Sequence, residues 1–586
     1  MTARGRGSLG GKRRQSLRIL RGVSVALGFV GGLAGPAFAQ GVPPAGALQS
    51  VNPGRALQQF APPTAVAPPS GEIEVPATNP ETPPTGADKV FFKLTDIVID
   101  DSTVYRGGSL KSIYAKSLGQ RVSLTKIYDI ANAITEKYRS DGYFLSKAII
   151  PVQRIHNGVV HLRAVEGFID QVHLQGVKSK RLEAYAQAIR AVRPITTKIL
   201  ERYVLLANDL AGMTVQSVLA PSPTVQGAAD LTMIAVRKTF GGSAEMDNFG
   251  TPYQGPWQAM VTGSMAGVLG HDEMISVRGA TTSTPRQMGM FGINLALPID
   301  DDGTSLVLDF SRNKGHPGYV LEPFGVHTLA YSASIAVQHY MIRSRAENLL
   351  SALTFSYLNS ETRLNVPGSS DDHIRALRAS LGYTRIDTLG GQNAVSAELS
   401  EGIPILNATR GGNNPLASRP DARNDFTKLV LNGSRLQDLG NNYALLLAMS
   451  AQSSFGERLL SSEQFALGGP VYGRGYDPSE VTGDNGVAGK LELQKTVPFT
   501  LYGRDRFAQF FGFYDVGEVM TSVVNAGAPG RQTLASTGTG VRLNFGNGVT
   551  SLIELAKPLT RAVSSEIGHE DDPKDWRIYF SLAAAF

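Results

Sequence analysis

The 586-residue chain contains no cysteine. Disulfide frameworks, thiolate nucleophiles and cysteine-held metals are therefore excluded, and stability must come from ordinary burial or from lipid. Past the N-terminus, no stretch approaches the roughly 18 uninterrupted apolar residues that mark a helical membrane span. A closed β-barrel survives that test, because its strands only alternate in hydropathy. Histidine is scarce, and its nine residues show no H-E-x-x-H or other ligand spacing. There is no G-x-S-x-G elbow, since "TGSMAG" at Thr262–Gly267 is off pattern by one residue. The glycines of "GTGVRLNFGNG" sit on a strand pattern and do not precede a helix, so they make no phosphate loop. An enzyme is thus disfavoured, and no catalytic, metal or cofactor-binding residue and no cofactor is expected.

Charge gives little support to a nucleic-acid partner. The chain is formally +6, but its first 39 residues hold seven basic and no acidic groups, which leaves the remainder at −1. Those seven, from Arg4 to Arg21, precede an apolar run from Val23 to Leu33 and the small-x-small triplet Ala37-Phe38-Ala39. This is the pattern of a secretory signal peptide over residues 1–39, cleaved between Ala39 and Gln40.

Residues 40–88 hold 11 of the 32 prolines and read as an extended linker. One island, "NPGRALQQF", offers Asn52 as a cap and Pro53 at a first helical position. It reads equally as a short helix from about Pro53 to Phe60 and as more linker. Residues 89–167 carry a strand-like "FFKLTDIVI" and a helix whose apolar face is Leu124, Ile127, Ala131, Ile134 and Tyr138. Ser123 caps that helix and Gly142 stops it. Strands Lys147–Gln153 and Val159–Val165 follow, joined through Asn157-Gly158, a strong hairpin signal. Residues 168–240 repeat the order strand, helix, helix, strand, strand, with strands Phe168–Leu174, Val215–Ala220 and Leu231–Val236. Their helices are Arg181–Ala191 and Lys198–Leu210. Two tandem α+β modules are expected.

From Gly241 to Phe586 the helical period disappears and about sixteen strands can be placed. Short connections such as "GHD", "RSRAE", "LGG" and "GNG" alternate with long ones such as "SRNKGHPGYVLEPFG". Short turns on one side and long loops on the other are the habit of outer-membrane barrels. In the last strand Trp576, Ile578, Phe580, Leu582, Ala584 and Phe586 form an apolar face with aromatics at both ends, while Arg577, Tyr579 and Ser581 form the other. In "VAGKLELQKTV" Lys490, Glu492 and Gln494 share one face, which suits a wet lumen. A large soluble β-sandwich would alternate too, but so many strands must close or split. The expected fold is a transmembrane antiparallel β-barrel of about 16 strands.

One stretch stands out within that region, "FALGGPVYGRGYDPSE" from Phe465 to Glu480, which sets Arg474 between Gly473 and Gly475. Taken with "FYDVG" (Phe513–Gly517), "MDNFGTPYQGPWQ" from Met246 and "GYFLSKAIIPVQRIHNGVVHLRAVEGFIDQVHLQG", it resembles the outer-membrane transporters of two-partner secretion. These are the haemolysin and filamentous-haemagglutinin secretion type, members of the BamA-like superfamily. The resemblance implies two periplasmic POTRA domains, at 89–167 and 168–240, ahead of a barrel at 241–586. It implies an outer-membrane translocator that recognises an unfolded secreted partner at its POTRA domains and passes it through the barrel. The alternative is an outer-membrane assembly factor of the same superfamily, which would normally carry more POTRA modules. The resemblance also implies that the sixth long loop folds into the lumen, where Arg474 pairs with Asp515, within the motif residues Gly473, Arg474, Gly475, Tyr476, Phe513, Asp515 and Gly517. Gly473 stands where the family usually has valine. The N-terminal island would correspond to a plug helix. The terminal strand, through Phe580 and Phe586, is expected to be the signal for the barrel-assembly machinery, with lipid as the other partner. The two modules carry 21 basic and 12 acidic residues, a net +9 that suits an acidic or polar client but is equally a solvated surface.

Overall fold

The computed structural model describes residues 45–60, 73–74, 80–410, 414–501, 503–522, 530–566 and 574–586. The expected signal peptide, with Ala39 and Gln40, lies outside the described residues. Among the described residues no helix is long and apolar enough to cross a membrane.

Helices α1 (Ala45–Ser50) and α2 (Pro53–Gln59) come first. In α2 the Asn52 side chain accepts from the Arg55 N–H at 3.2 Å, and proline occupies the first turn, where its missing N–H costs nothing. Farther along the linker, Ile73–Glu74 pairs in parallel with Ser217 and Val218 of the second module.

In the first module "FFKLTDIVI" is two strands with different partners. Phe91–Lys93 pairs with Arg121–Ser123, and Asp96–Asp100 pairs in parallel with Val159–Val165. The break falls at Leu94, which is fully buried and exchanges backbone hydrogen bonds with Gln120 and Gly119. The Leu124–Ser140 helix is capped by Ser123 and buries Ile127, Ile130, Ala131, Ile134 and Tyr138. The strand after it covers only Lys147–Ile149 and not the expected span to Gln153, because Pro151 has no N–H for a ladder. The Asn157-Gly158 turn, with both φ positive, closes only on a His156–Val159 bridge. The second module comprises Phe168–Gly176, helices Lys180–Ala191 and Thr197–Asp209, Met213–Pro221 and Ala228–Arg237. Ile169, Leu182, Ile189, Leu200, Val204 and Leu231 make its core.

Sixteen antiparallel strands then close into a barrel. They are β1 (Phe240–Asp247), β2 (Gln258–Ala266), β3 (Met274–Thr282), β4 (Gly289–Pro298), β5 (Thr304–Gly315), β6 (His327–Arg343), β7 (Glu347–Arg363) and β8 (Ser370–Ile386). The second half comprises β9 (Gly391–Gly402), β10 (Thr427–Gly440), β11 (Tyr443–Ser453), β12 (Asn485–Leu501), β13 (Arg504–Met520), β14 (Arg531–Gly546), β15 (Val549–Pro558) and β16 (Arg577–Ala585). The β1–β16 seam runs from Ser243 opposite Ala585 to Asp247 opposite Ser581. Phe586 extends it by exchanging two 2.9 Å backbone bonds with Gly242, and Asn248 extends its other end by binding Phe580 and Ile578. The outward residues Trp576, Ile578, Leu582 and Phe586 are exposed, as a lipid-facing band requires.

The second module is tied to the short-turn end of the barrel. Arg343 at the end of β6 grips Asp209 with two bonds, 2.8 and 2.7 Å. Asp272, in the β2–β3 turn, pairs with Arg237 and accepts from Ser179 Oγ at 2.7 Å. Arg202 reaches Asp302 at 2.9 Å, and Arg181 reaches Asp301 at 3.3 Å.

Candidate functional site in the barrel lumen

The sixth long connection, residues 454–484 between β11 and β12, turns inward. Its arms pair as a small hairpin, Phe465–Leu467 with Val481–Gly483. Leu467, Tyr476, Val481 and Leu534 form an apolar cluster that seats the hairpin on the barrel wall. At the tip Gly473 has φ 85°, a left-handed conformation that favours glycine. A Cβ on Gly475 would stand 2.7 Å from the Pro558 nitrogen, so this position admits the loop against β15 only as glycine.

Arg474 is planted where that backbone delivers it. Its Nε and Nη2 donate to the two Asp515 oxygens at 3.0 and 2.9 Å, a bidentate fork. Asp515, on β13, also accepts from the backbone N–H groups of Gly473 and Arg474 at 3.2 and 3.1 Å. The remaining Nη1 faces Glu492 of β12 at 2.8 Å and Glu554 of β15 at 3.4 Å. The guanidinium lies over the Phe513 ring, 3.5 Å from its centroid. Arg474 is 5 % exposed and Asp515 0 %, so water does little screening here. A second layer supports the first. Arg542 of β14 binds Glu492 at 2.7 Å and stacks on Phe511, and the Lys490 ammonium faces the Tyr472 ring at 5.6 Å. Three cations thus share the region with the carboxylates of Asp515, Glu492 and Glu554.

The rest of the tip is also held. Tyr476 is fully buried, and its hydroxyl donates to the Ala535 carbonyl at 3.2 Å while accepting from the Thr560 and Arg561 N–H groups. Asp477 pairs with Arg577 at 2.6 Å. Gly517 lies under the hairpin, where a Cβ would come within 2.8 Å of Leu467. The structure therefore brings Gly473, Arg474, Gly475, Tyr476, Phe513, Asp515 and Gly517 to one place, whereas Phe580 and Phe586 lie apart on the seam strand.

Sequence reasoning placed Glu492 on the lumen side but did not connect it to Arg474, and it missed Arg542 and Glu554 altogether. Each is a single charge between apolar neighbours, Val541 and Leu543 or Ile553 and Leu555. In an alternating strand such a residue must point away from lipid, and that is the signal that could have found them.

The N-terminal helices occupy the same lumen. Leu57 packs with Ala280, Met290, Ala330, Leu358 and Phe426. Arg55 Nε donates to the Ser461 carbonyl at 2.9 Å, Gln58 Nε2 to the Ser462 carbonyl at 3.1 Å, and Ser462 Oγ to Asn52 Oδ1 at 3.0 Å. The sixth loop therefore holds α2 with one arm and β13 with its tip. Glu463 between them is fixed by Arg378 and Lys428, each at 2.6 Å.

Comparison with known proteins agrees with this architecture. Residues 231–543 match the family described as haemolysin secretion/activation protein ShlB/FhaC/HecB, and residues 92–167 match the ShlB-type POTRA domain. The heme/hemopexin transporter protein HuxB of Haemophilus influenzae is 22 % identical, over 93 % of this chain and 96 % of its own. The outer membrane transporter CdiB of Escherichia coli O6:K15:H31 (strain 536 / UPEC) is 23 % identical, over 72 % of each chain. The solved structure of CdiB from Escherichia coli superposes with a TM-score of 0.72 at 19 % identity, covering 94 % of this chain and all of that one. With more than half its length matched by the family model, the chain belongs to the haemolysin secretion/activation family, the outer-membrane translocators of two-partner secretion.

Proposed function

We propose that the resting protein is a translocator closed from inside, and that the client opens it by displacing two of the chain's own segments. The observation that carries this reading is the double attachment of the sixth loop, to α2 through Ser461 and Ser462 and to β13 through Arg474. Neither attachment is covalent, so both can be exchanged for client contacts. Arg474, Asp515 and Glu492 act as an anchor for the loop, and the protein has no catalytic role.

Client recognition belongs to the two POTRA modules, with boundaries at 89–167 and 168–240. The edge of the second module's sheet already accepts an added strand, since Ile73–Glu74 of the linker pairs there. An extended segment of a secreted partner can bind the same way, by main-chain hydrogen bonds to an open edge. The partner is an exported protein delivered unfolded.

The test is to remove 89–167 and supply an exported protein that the full chain is shown to secrete. The truncated chain should still run as a heat-modifiable barrel and should secrete nothing. Normal secretion would place recognition elsewhere.

A further inference from the structure

A group of basic side chains gathers at the long-loop end of the outward face of the barrel. On β5 the exposed apolar residues Leu308 and Phe310 are followed at the same alternating phase by Arg312 and Lys314, both exposed. His327 begins β6 and lies directly opposite Arg363, the last residue of β7. His316, just beyond β5, stacks edge-on against His327 with ring centroids 4.3 Å apart, and its backbone N–H donates to the Arg286 carbonyl at 3.0 Å. Lys314 lies opposite Leu329, two residues along β6 from His327. Tyr331 lies beneath, with the Arg312 guanidinium 5.4 Å from its ring centroid.

Arg286, Arg312, Lys314 and Arg363 are permanently charged, and like charges on neighbouring elements repel one another unless an anion joins them. Among the described residues, Glu361 is the one carboxylate that pairs with a member of the group, through Arg363. Two other basic residues at the long-loop end, Arg531 and the buried Arg375, are matched. Arg531 pairs with Glu518 at 2.8 Å, and Arg375 is saturated by the Leu358, Ile374 and Leu406 carbonyls while stacked on Tyr357.

Position identifies the kind of anion that would join them. The group sits at the long-loop end of β5–β7, which is the outer-leaflet side because the POTRA modules occupy the other end. It lies where an apolar and aromatic band gives way to charge, the level at which long basic side chains reach lipid headgroups. We propose that Arg286, Arg312, Lys314, His327 and Arg363 form a site for the phosphate groups of a phosphorylated outer-leaflet glycolipid. Its acyl chains would lie along Leu308, Phe310 and Tyr331, and the site would fix the lipid on the β5–β7 wall, away from the β1–β16 seam.

The probe is bisphosphorylated lipid A, added to the full chain in nanodiscs and counted by native mass spectrometry after mild delipidation. Each basic residue near an anionic headgroup is worth about fivefold in retention. The triple variant R312Q/K314Q/R363Q should therefore lose retention about a hundredfold, and K314Q alone about fivefold, while R531Q keeps it. K314Q decides the matter should the triple variant fail the heat-modifiability check of folding. Equal retention by wild type and the K314Q and triple variants would overturn the site. Equal retention of dephosphorylated lipid A would reduce it to an acyl-chain contact. Displacement by inorganic phosphate alone would make it a site for free anions and overturn the lipid assignment.

Discussion

At the scale of single residues, what matters about Arg474 is how completely it is enclosed. A pair in a water-filled lumen would be worth only about 0.2–1 kcal/mol. Here Arg474 and Asp515 are 5 % and 0 % exposed, so removing either strands the other, at a cost nearer 3–5 kcal/mol. That cost falls on docking of the loop, because the barrel ladder makes no use of either side chain. Arg474→Ala and Asp515→Ala should each reduce secretion strongly with the barrel still heat-modifiable, and the double variant should be little worse than either. Defects that multiply in the double variant would show the two act independently. Arg474→Lys should fail nearly as badly, since an ammonium cannot fork onto Asp515 while also meeting Glu492. Glu166 in the first module offers a pH test. Burial raises its carboxyl, but hydrogen bonds from the Thr103 hydroxyl, the Val104 N–H, the Tyr138 hydroxyl and the Thr103 N–H outweigh that and hold it below the ordinary glutamate range. A depressed carboxylate stabilises the fold above its unfolded pKa and loses that contribution as pH falls through its folded one. Glu166→Gln should cost about 1–2 kcal/mol at neutral pH and little in acid. Hydrogen exchange of the 102–105 segment should show the difference shrinking as pH falls, and a difference independent of pH would sink this account.

At the scale of elements, α2 and the sixth loop form one assembly. Arg55 and Ser461 are 406 residues apart in the chain, yet their bond is part of what keeps the helix in the lumen. Deleting 41–62 should raise single-channel conductance in planar bilayers, and Arg55→Ala should raise the frequency of open events. Unchanged conductance in the deletion would mean that α2 does not obstruct the pore. These contacts also mark the limit of what could be read from sequence. The sixteen strands were legible because lipid on one side and a wet lumen on the other force a period of two on every strand. The cap and proline of α2 were legible because they act within one turn. Its place in the lumen was implied only by the resemblance to a plug helix, because the carbonyls of Ser461 and Ser462 carry no side-chain signal. The partner change at Leu94 was hidden for the same reason, since backbone bonds to Gly119 and Gln120 leave no trace in residue type. Arg474 was recognised through its motif, but its third carboxylate, Glu554, depends on how the strands are staggered around the barrel.

At the scale of the whole molecule, a translocator must hand a chain from its periplasmic modules to its pore, so the second module has to stay in register with the barrel mouth. Among the described residues four ion pairs help to hold it there, and they are unequal. Asp301 and Asp302 are 63 % and 57 % exposed, so their pairs with Arg181 and Arg202 lie in the weak surface regime. The Arg343 side chain is fully enclosed, and Asp272 is 8 % exposed beside Arg237. Removing the Asp209 charge would leave the Arg343 guanidinium buried among neutral acceptors such as Asn348 Oδ1 at 3.0 Å, with no carboxylate paired to it. Asp209→Asn and Asp272→Asn should therefore each weaken docking by about 3 kcal/mol, while Asp301→Asn should change it by less than about 1 kcal/mol. The measurement is hydrogen exchange of the 197–209 helix in the full chain, compared with exchange of the barrel strands. Faster exchange of the helix with unchanged strands is expected for Asp209→Asn, together with reduced secretion. Should Asp301→Asn loosen the helix as much as Asp209→Asn, burial would not be what ranks these links, and the module would be positioned by the sum of its surface charges instead.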